Sequence, residues 1–169
     1  MAKLPINRGN KFFSEAEFNL FQDISREYVE DVLNFTVVLF QVDREKTTFD
    51  EVYGETAKQS IVYLPPVELK VGDFILEKSE NKNYAGSNAR YLEYGKLSFT
   101  IHTAQLEEKL SDIKYGDIIG YAPFENVFKY FTVINDGKIF ANNENTMFGY
   151  KGYFRNIECI NIDENEFNG

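Results

Sequence analysis

Residues 14–42 read SEAEFNLFQDISREYVEDVLNFTVVLFQV, and the period of their apolar residues changes near Asn34. Up to Asn34 the pattern is helical. Ser14 and Glu17 have the spacing of a capping box, in which each end of the pair satisfies a free backbone N–H of the first turn. Phe18, Phe21, Ile24 (or Ser25), Tyr28 and Val32 recur at three- and four-residue steps and form one stripe. Glu15, Asp23, Glu27, Glu30 and Asp31 crowd the remaining surface. Such a stripe predicts packing on the protein's own sheet. From Phe35 the residues are β-branched and apolar almost throughout, which reads as a well-buried strand. One helix handing over to strands sets the expectation for the rest of the chain.

Downstream the strand signals are short and frequent. SIVYLPPVEL reads as a strand stopped by Pro65-Pro66, because proline cannot donate to a sheet ladder. DFILEK, two short strands around Gly95, DIIGYAP, ENVFKYFTVI, KIFANN and the last strand or two in residues 147–162 follow. Leu97, Phe99 and Ile101 alternate onto one face, and His102 falls on the other with Ser98 and Thr100. QLEEKLSD has room for a helical turn, and NDGK reads as a hairpin turn. Aromatic residues make up 16% of the chain, from 16 Phe and 11 Tyr, which favours half-buried pleated surfaces. The predicted fold class is mainly β, a barrel or sandwich of short antiparallel strands with one N-terminal amphipathic helix. The predicted divisions are an arm over 1–13, a single β-rich domain over 14–162 and an acidic tail over 163–169.

One phrase occurs twice. Residues 68–75 read ELKVGDFI and residues 112–119 read DIKYGDII. The likeness ends beyond those eight positions, so it is no domain duplication. Gly supplies backbone freedom and Asp can bond its own local backbone. Gly72-Asp73 and Gly116-Asp117 are therefore read as one kind of turn leading sharply into a strand. The competing reading joins Asp73 and Asp117 as a carboxylate pair for acid–base or metal chemistry.

The chain offers little for catalysis. It contains no nucleophile elbow, phosphate-binding glycine loop, dinucleotide fingerprint, HExxH or calcium-loop spacing. His102 is the single histidine and Cys159 the single cysteine, so one chain can form neither a disulfide nor a four-ligand zinc site. His102 reads as a surface or interface residue, and Cys159, within RNIECINI, as a small buried hydrophobe. No enzyme, cofactor or metal is expected. The net charge of −9 disfavours sequence-reading contacts to nucleic acid, though an acidic wall suits a channel that DNA passes without sticking. No apolar run approaches the roughly 20 residues needed to cross a bilayer, and MAKLPINRGN lacks a secretory apolar core. No membrane partner is expected.

Several stretches, in order, resemble the neck (head-completion) proteins of contractile-tailed bacteriophages. They are DVLNFTVVLFQVDREKTTFDEVYGE, KLSFTIHTAQLEEKL, YGDIIGYAPFENVFKYFTVI and GYFRNIECINIDENE, together spanning about residues 25 to 165. In the first, Asp50, Val52, Tyr53, Gly54 and Glu55 match the family's acidic, apolar and aromatic-Gly-Glu pattern. The resemblance implies a virion structural protein for head completion and virion assembly. As a head–tail connector it would form a homo-oligomeric ring of about 6 or 12 copies. Portal or adaptor would lie above, tail proteins below, and DNA would pass through the lumen. It implies assembly in the host cytoplasm and residence in the virion. A portal adaptor or tail terminator fits the same pattern, and a small-ligand-binding β-barrel or an acidic hydrolase is the non-architectural alternative. Asp50, Val52, Tyr53, Gly54 and Glu55, with Phe12 and Phe13 of the arm, are the expected subunit or partner interface.

Overall fold

The structure, a computed structural model, describes residues 14–47, 61–81, 91–125, 127–138 and 152–162. Helix α1 (Glu15–Glu27) continues as a π-helical segment (Tyr28–Leu33). Then come β1 (Phe35–Phe40), β2 (Val67–Asn81), β3 (Tyr91–His102), α2 (Thr103–Glu108), β4 (Ile118–Phe124), β5 (Val127–Asn135) and β6 (Phe154–Asn161). The strands form a closed barrel in the order β1-β2-β3-β6-β5-β4, every neighbouring pair antiparallel. The fold class is therefore mainly β, and of the two expected architectures it is the barrel.

Alternation builds the interior. Val37 and Leu39 of β1, Leu69 and Val71 of β2, and Leu97, Phe99 and Ile101 of β3 are fully buried. So are Ile119 of β4, Phe131 and Val133 of β5, and Ile157 and Cys159 of β6. Each points inward at every second position, as a pleated strand requires. Leu106 of α2 and Ile113 complete this core at the end where β3 stops. At the opposite end, where β1 begins, Phe74 lies 5.8 Å from Phe35 and 4.5 Å from Tyr121, ring to ring. Side chains thus fill the barrel from end to end.

Three expectations need correction. Ahead of the prolines, residues 61–64 form no named strand, only a bridge between Tyr63 and Val42, and β2 begins after the prolines at Val67. The segment around Gly95 is one continuous strand, because a register shift near Glu77 and Lys78 absorbs the irregularity opposite it. The repeated phrase is not one turn used twice. Gly116 has φ +87° in the turn ahead of β4, as expected, and Asp117 follows it. Gly72 and Asp73, however, lie inside β2, at a register shift between Gly72 and Ile75. There Asp73, not the glycine, takes the left-handed conformation at φ +44°. Gly72 has little room, for a different reason. A Cβ on it would come within 3.1 Å of Thr100 Oγ1 and 3.2 Å of Val29 Cγ2, where the π-helical segment crosses the strand.

Candidate functional site

Helix α1 begins with the expected capping box. Ser14 Oγ accepts from the Glu17 backbone N–H at 3.3 Å, and Glu17 Oε2 accepts from the Ser14 N–H at 2.6 Å. Phe18 sits edge-on to Tyr153 at 5.7 Å. The hydroxyls of Ser25 and Tyr153 are 3.3 Å apart. Arg26 donates to Glu30 at 2.8 Å and to both oxygens of Glu108. Gln105 then bridges Glu30 to the backbone N–H of Lys70 in β2. These contacts tie the helix to β2, β6 and α2.

The helix does not bury the stripe its sequence advertises. Phe18 is buried, but Ile24 and Tyr28 are each 53% exposed and Val32 is 66% exposed. Val29 is buried in their place, with Leu33 half-buried. From Tyr28 onward the backbone forms a π-helical segment. It ends with the Asn34 N–H donating to the Val29 carbonyl, five residues back, and Asn34 stands at φ 52°. The wider turn rotates the following side chains relative to a 3.6-residue period.

A groove runs along one flank of the helix. Ile24, Tyr28, Val29 and Leu33 form one wall, and Gly72, Thr100 and Phe154 lie on the barrel side. Its volume is about 420 Å³. Asp73 stands in the lining and accepts from Thr100 Oγ1 at 3.3 Å. Asp23, Glu27 and Asp31 on the helix are exposed, so acidic groups border the apolar surface. Such a surface is suited to receiving apolar side chains.

His102 lies beneath the same helix. It is on the outer face of β3, as read from the alternation, but is fully buried rather than at the surface, because α1 covers it. Its ring stacks on Tyr153 at 5.4 Å and meets Phe154 edge-on at 5.3 Å. Nδ1 caps α2 by accepting from the Ala104 N–H at 3.2 Å. Burial pushes its pKa below the usual imidazole value, with Arg26 adding to the shift, while the backbone of Gln22 opposes it.

Asp73 and Asp117 do not form a pair. Asp73 bonds Thr100 at the groove, whereas Asp117 is buried and accepts backbone N–H bonds from Val42 (3.1 Å) and Lys114 (2.8 Å). Burial raises the pKa of Asp117 despite those bonds. Its role is to hold the turn before β4. Among the described residues no three His, Cys, Asp or Glu side chains gather as a metal site. No described helix is long and apolar enough to cross a membrane. Phe12, Phe13, Asp50, Val52, Tyr53, Gly54 and Glu55 lie outside the described residues. The groove itself was missed from the sequence. Its one signal was the width of the apolar surface, since Leu20 stands beyond the stripe and is exposed with it.

Compared with protein-family models, curated proteins and solved structures, the chain matches none.

Proposed function

We propose that this chain is an architectural protein, a neck (head-completion) component of a tailed-bacteriophage virion that assembles as a ring between portal and tail. The observation that carries the architectural part is a barrel filled with side chains while large apolar residues remain outside. Ile24, Tyr28, Val32, Tyr115, Phe124 and Phe128 are all about half exposed or more. Exposed apolar surface of this kind marks contact with other proteins. The assignment to the neck rests on the ordered resemblance of four stretches and on the order of helix then barrel. DNA would pass through a lumen formed between subunits, since side chains occupy the barrel interior. A portal adaptor or tail terminator would use the same architecture. The groove also supports a second reading, a site for an apolar small molecule, which predicts a monomer whose melting temperature rises with ligand.

Mass determination of the purified chain, alone and after incubation with DNA-filled heads from its source, tests the proposal. A closed cyclic oligomer, or stable capture at the head vertex, is the expected result. A monomer that ignores the particles would overturn it.

A further inference from the structure

The apolar side chains that α1 leaves exposed run from its second turn to the end of the π-helical segment. Leu20, Phe21, Ile24, Tyr28 and Val32 are each about half exposed or more. The groove of about 420 Å³ lies along the part from Ile24 to Leu33. The charge around this surface has one sign. Between Ser14 and Leu33 the sequence holds six acids and one base. Asp23, Glu27 and Asp31 are exposed on the helix, and Asp73 lines the groove from the barrel side. The described bases on the surrounding elements do not offset these acids. Arg26 is engaged by Glu30 and Glu108, Lys96 by Glu158, and Lys70 donates to Asn34 and Thr36, while Arg155 is buried.

The residues that lead into this helix carry the opposite sign. Residues 1–13, which lie outside the described residues, read MAKLPINRGNKFF. In a chain of net charge −9 this stretch holds Lys3, Arg8 and Lys11 and no acid. Leu4, Ile6, Phe12 and Phe13 give it apolar side chains as well, and Pro5 biases Leu4 toward an extended backbone. The stretch therefore matches the helix face in both respects, apolar to apolar and base to acid. Its length is sufficient too. Ile6 stands eight residues before Ser14, a span of about 26 Å when extended. Along the helix, Ile24 and Tyr28 are only about 15 and 21 Å from Ser14. The groove volume also exceeds the roughly 150 Å³ that encloses one benzene-sized ring, so two branched side chains have room.

We propose that residues 1–13 turn back along α1 of their own chain and fill its groove. Leu4 and Ile6 lie against Ile24 and Tyr28, and Lys3 and Arg8 lie among the bordering acids. The covalent tether favours this occupant over a free segment of the same composition, because it holds the arm at an effective concentration of order millimolar. A partner then reaches the helix face only by displacing the arm. The inference does not depend on the ring reading, since the exposed Tyr115, Phe124 and Phe128 are no part of the groove.

Two measurements on the full chain test it. In the first, Ile6→Cys is combined with Ile24→Cys or with Tyr28→Cys, and the purified variants are oxidised mildly. Cys159 stays in place because it is buried. Non-reducing electrophoresis should show a crosslink within the monomer for at least one pair. A crosslinked dimer overturns the proposal, since the arm would then serve a neighbouring copy, and so does the absence of a crosslink from both pairs. In the second, trypsin cuts after Arg8 and Lys11 in the arm. Cutting should be roughly tenfold slower in the wild type than in Tyr28→Ser, because a docked arm is cleaved only when it opens. Added salt should speed cutting of the wild type by screening the arm from the acids. Tyr28 is half exposed, so its substitution spares the barrel, which thermal melts confirm, and Ile24→Ser is the second choice. Equal cutting rates in wild type and variants would overturn the docking.

Discussion

Arg155 Nη1 lies 2.8 Å from Asp112 Oδ1, and the same guanidinium donates to the carbonyls of Ile113 and Asp136 at 2.6–2.9 Å. The side chain points inward from β6 at the end of the barrel nearest α2, and it is buried. It therefore joins three segments that are distant in sequence: β6, the α2–β4 loop and the turn after β5. Replacing Arg155 with Met leaves the carbonyls of Ile113 and Asp136 without this donor and Asp112 with Lys138 alone. The expected loss is about 3 kcal/mol, measured by urea unfolding. Asp112→Asn should cost less, about 1 kcal/mol, because Asp112 is partly exposed and already shared with Lys138. Equal losses would contradict the central role of the guanidinium. Arg155→Lys should not restore the wild type, since an ammonium cannot make the fork.

The burial of His102 predicts an acid-sensitive helix. Burial and Arg26 lower its folded pKa, against the partial opposition of Glu30, Asp23 and the Gln22 backbone. A lowered histidine pKa means that the unfolded chain binds the proton first. The stabilising contribution is complete above the unfolded value of about 6.5 and is lost as pH falls below it toward the folded value. Melting temperature should therefore drop as pH falls below about 6.5. His102→Asn, which can still cap α2, should flatten that slope whatever it does to the mean stability. An unchanged slope in the variant would assign the acid sensitivity to carboxylates.

Cys159 should be chemically silent in the folded protein. Burial, with a smaller effect from Glu158, pushes its thiol pKa up to about 12, so the reactive thiolate is scarce at neutral pH. A thiol reagent should label the native chain only at the rate of global unfolding, and the denatured chain at once. Rapid stoichiometric labelling in native buffer would mean that β6 opens locally.

Gly116 and Gly137 separate conformational cost from collision. Both have positive φ, +87° and +66°. A Cβ on Gly116 meets nothing within 4 Å, whereas one on Gly137 would overlap the backbone carbonyl oxygen of Asn156. Gly116→Ala should cost about 1 kcal/mol, from the left-handed backbone alone. Gly137→Ala should cost about 3 kcal/mol or more, because backbone must move as well. Denaturant midpoints of the two variants check the order.

Much of the barrel was legible because its residues alternate. Leu97, Phe99 and Ile101 were read onto one face and are all buried, and Cys159 was read as a core residue and is one. The failures share a cause, in that local sequence does not record what lies across from it. The two Gly-Asp phrases are nearly identical, yet Gly72 pairs opposite Thr100 under the helix while Gly116 lies in a turn tied to β5, with open space where a Cβ would stand. His102 was assigned to the correct face, but only tertiary packing reveals that α1 covers that face. From Tyr28 the groove's helical wall is π-helical, which a 3.6-residue reading of Phe18 to Val32 has no means to anticipate.

The closed strand order also restricts how this protein can join others. Each of the six described strands has a hydrogen-bonded neighbour on both sides, β1 between β2 and β4 and so around the circle. The closure is uneven, since β2 pairs with β1 from Val67 to Val71 and with β3 from Gly72 to Asn81, so main-chain addition is confined to stretches paired on one side and the doubly paired wall is left to side-chain contacts. Their strength and selectivity can therefore be altered one residue at a time while the barrel is left unchanged.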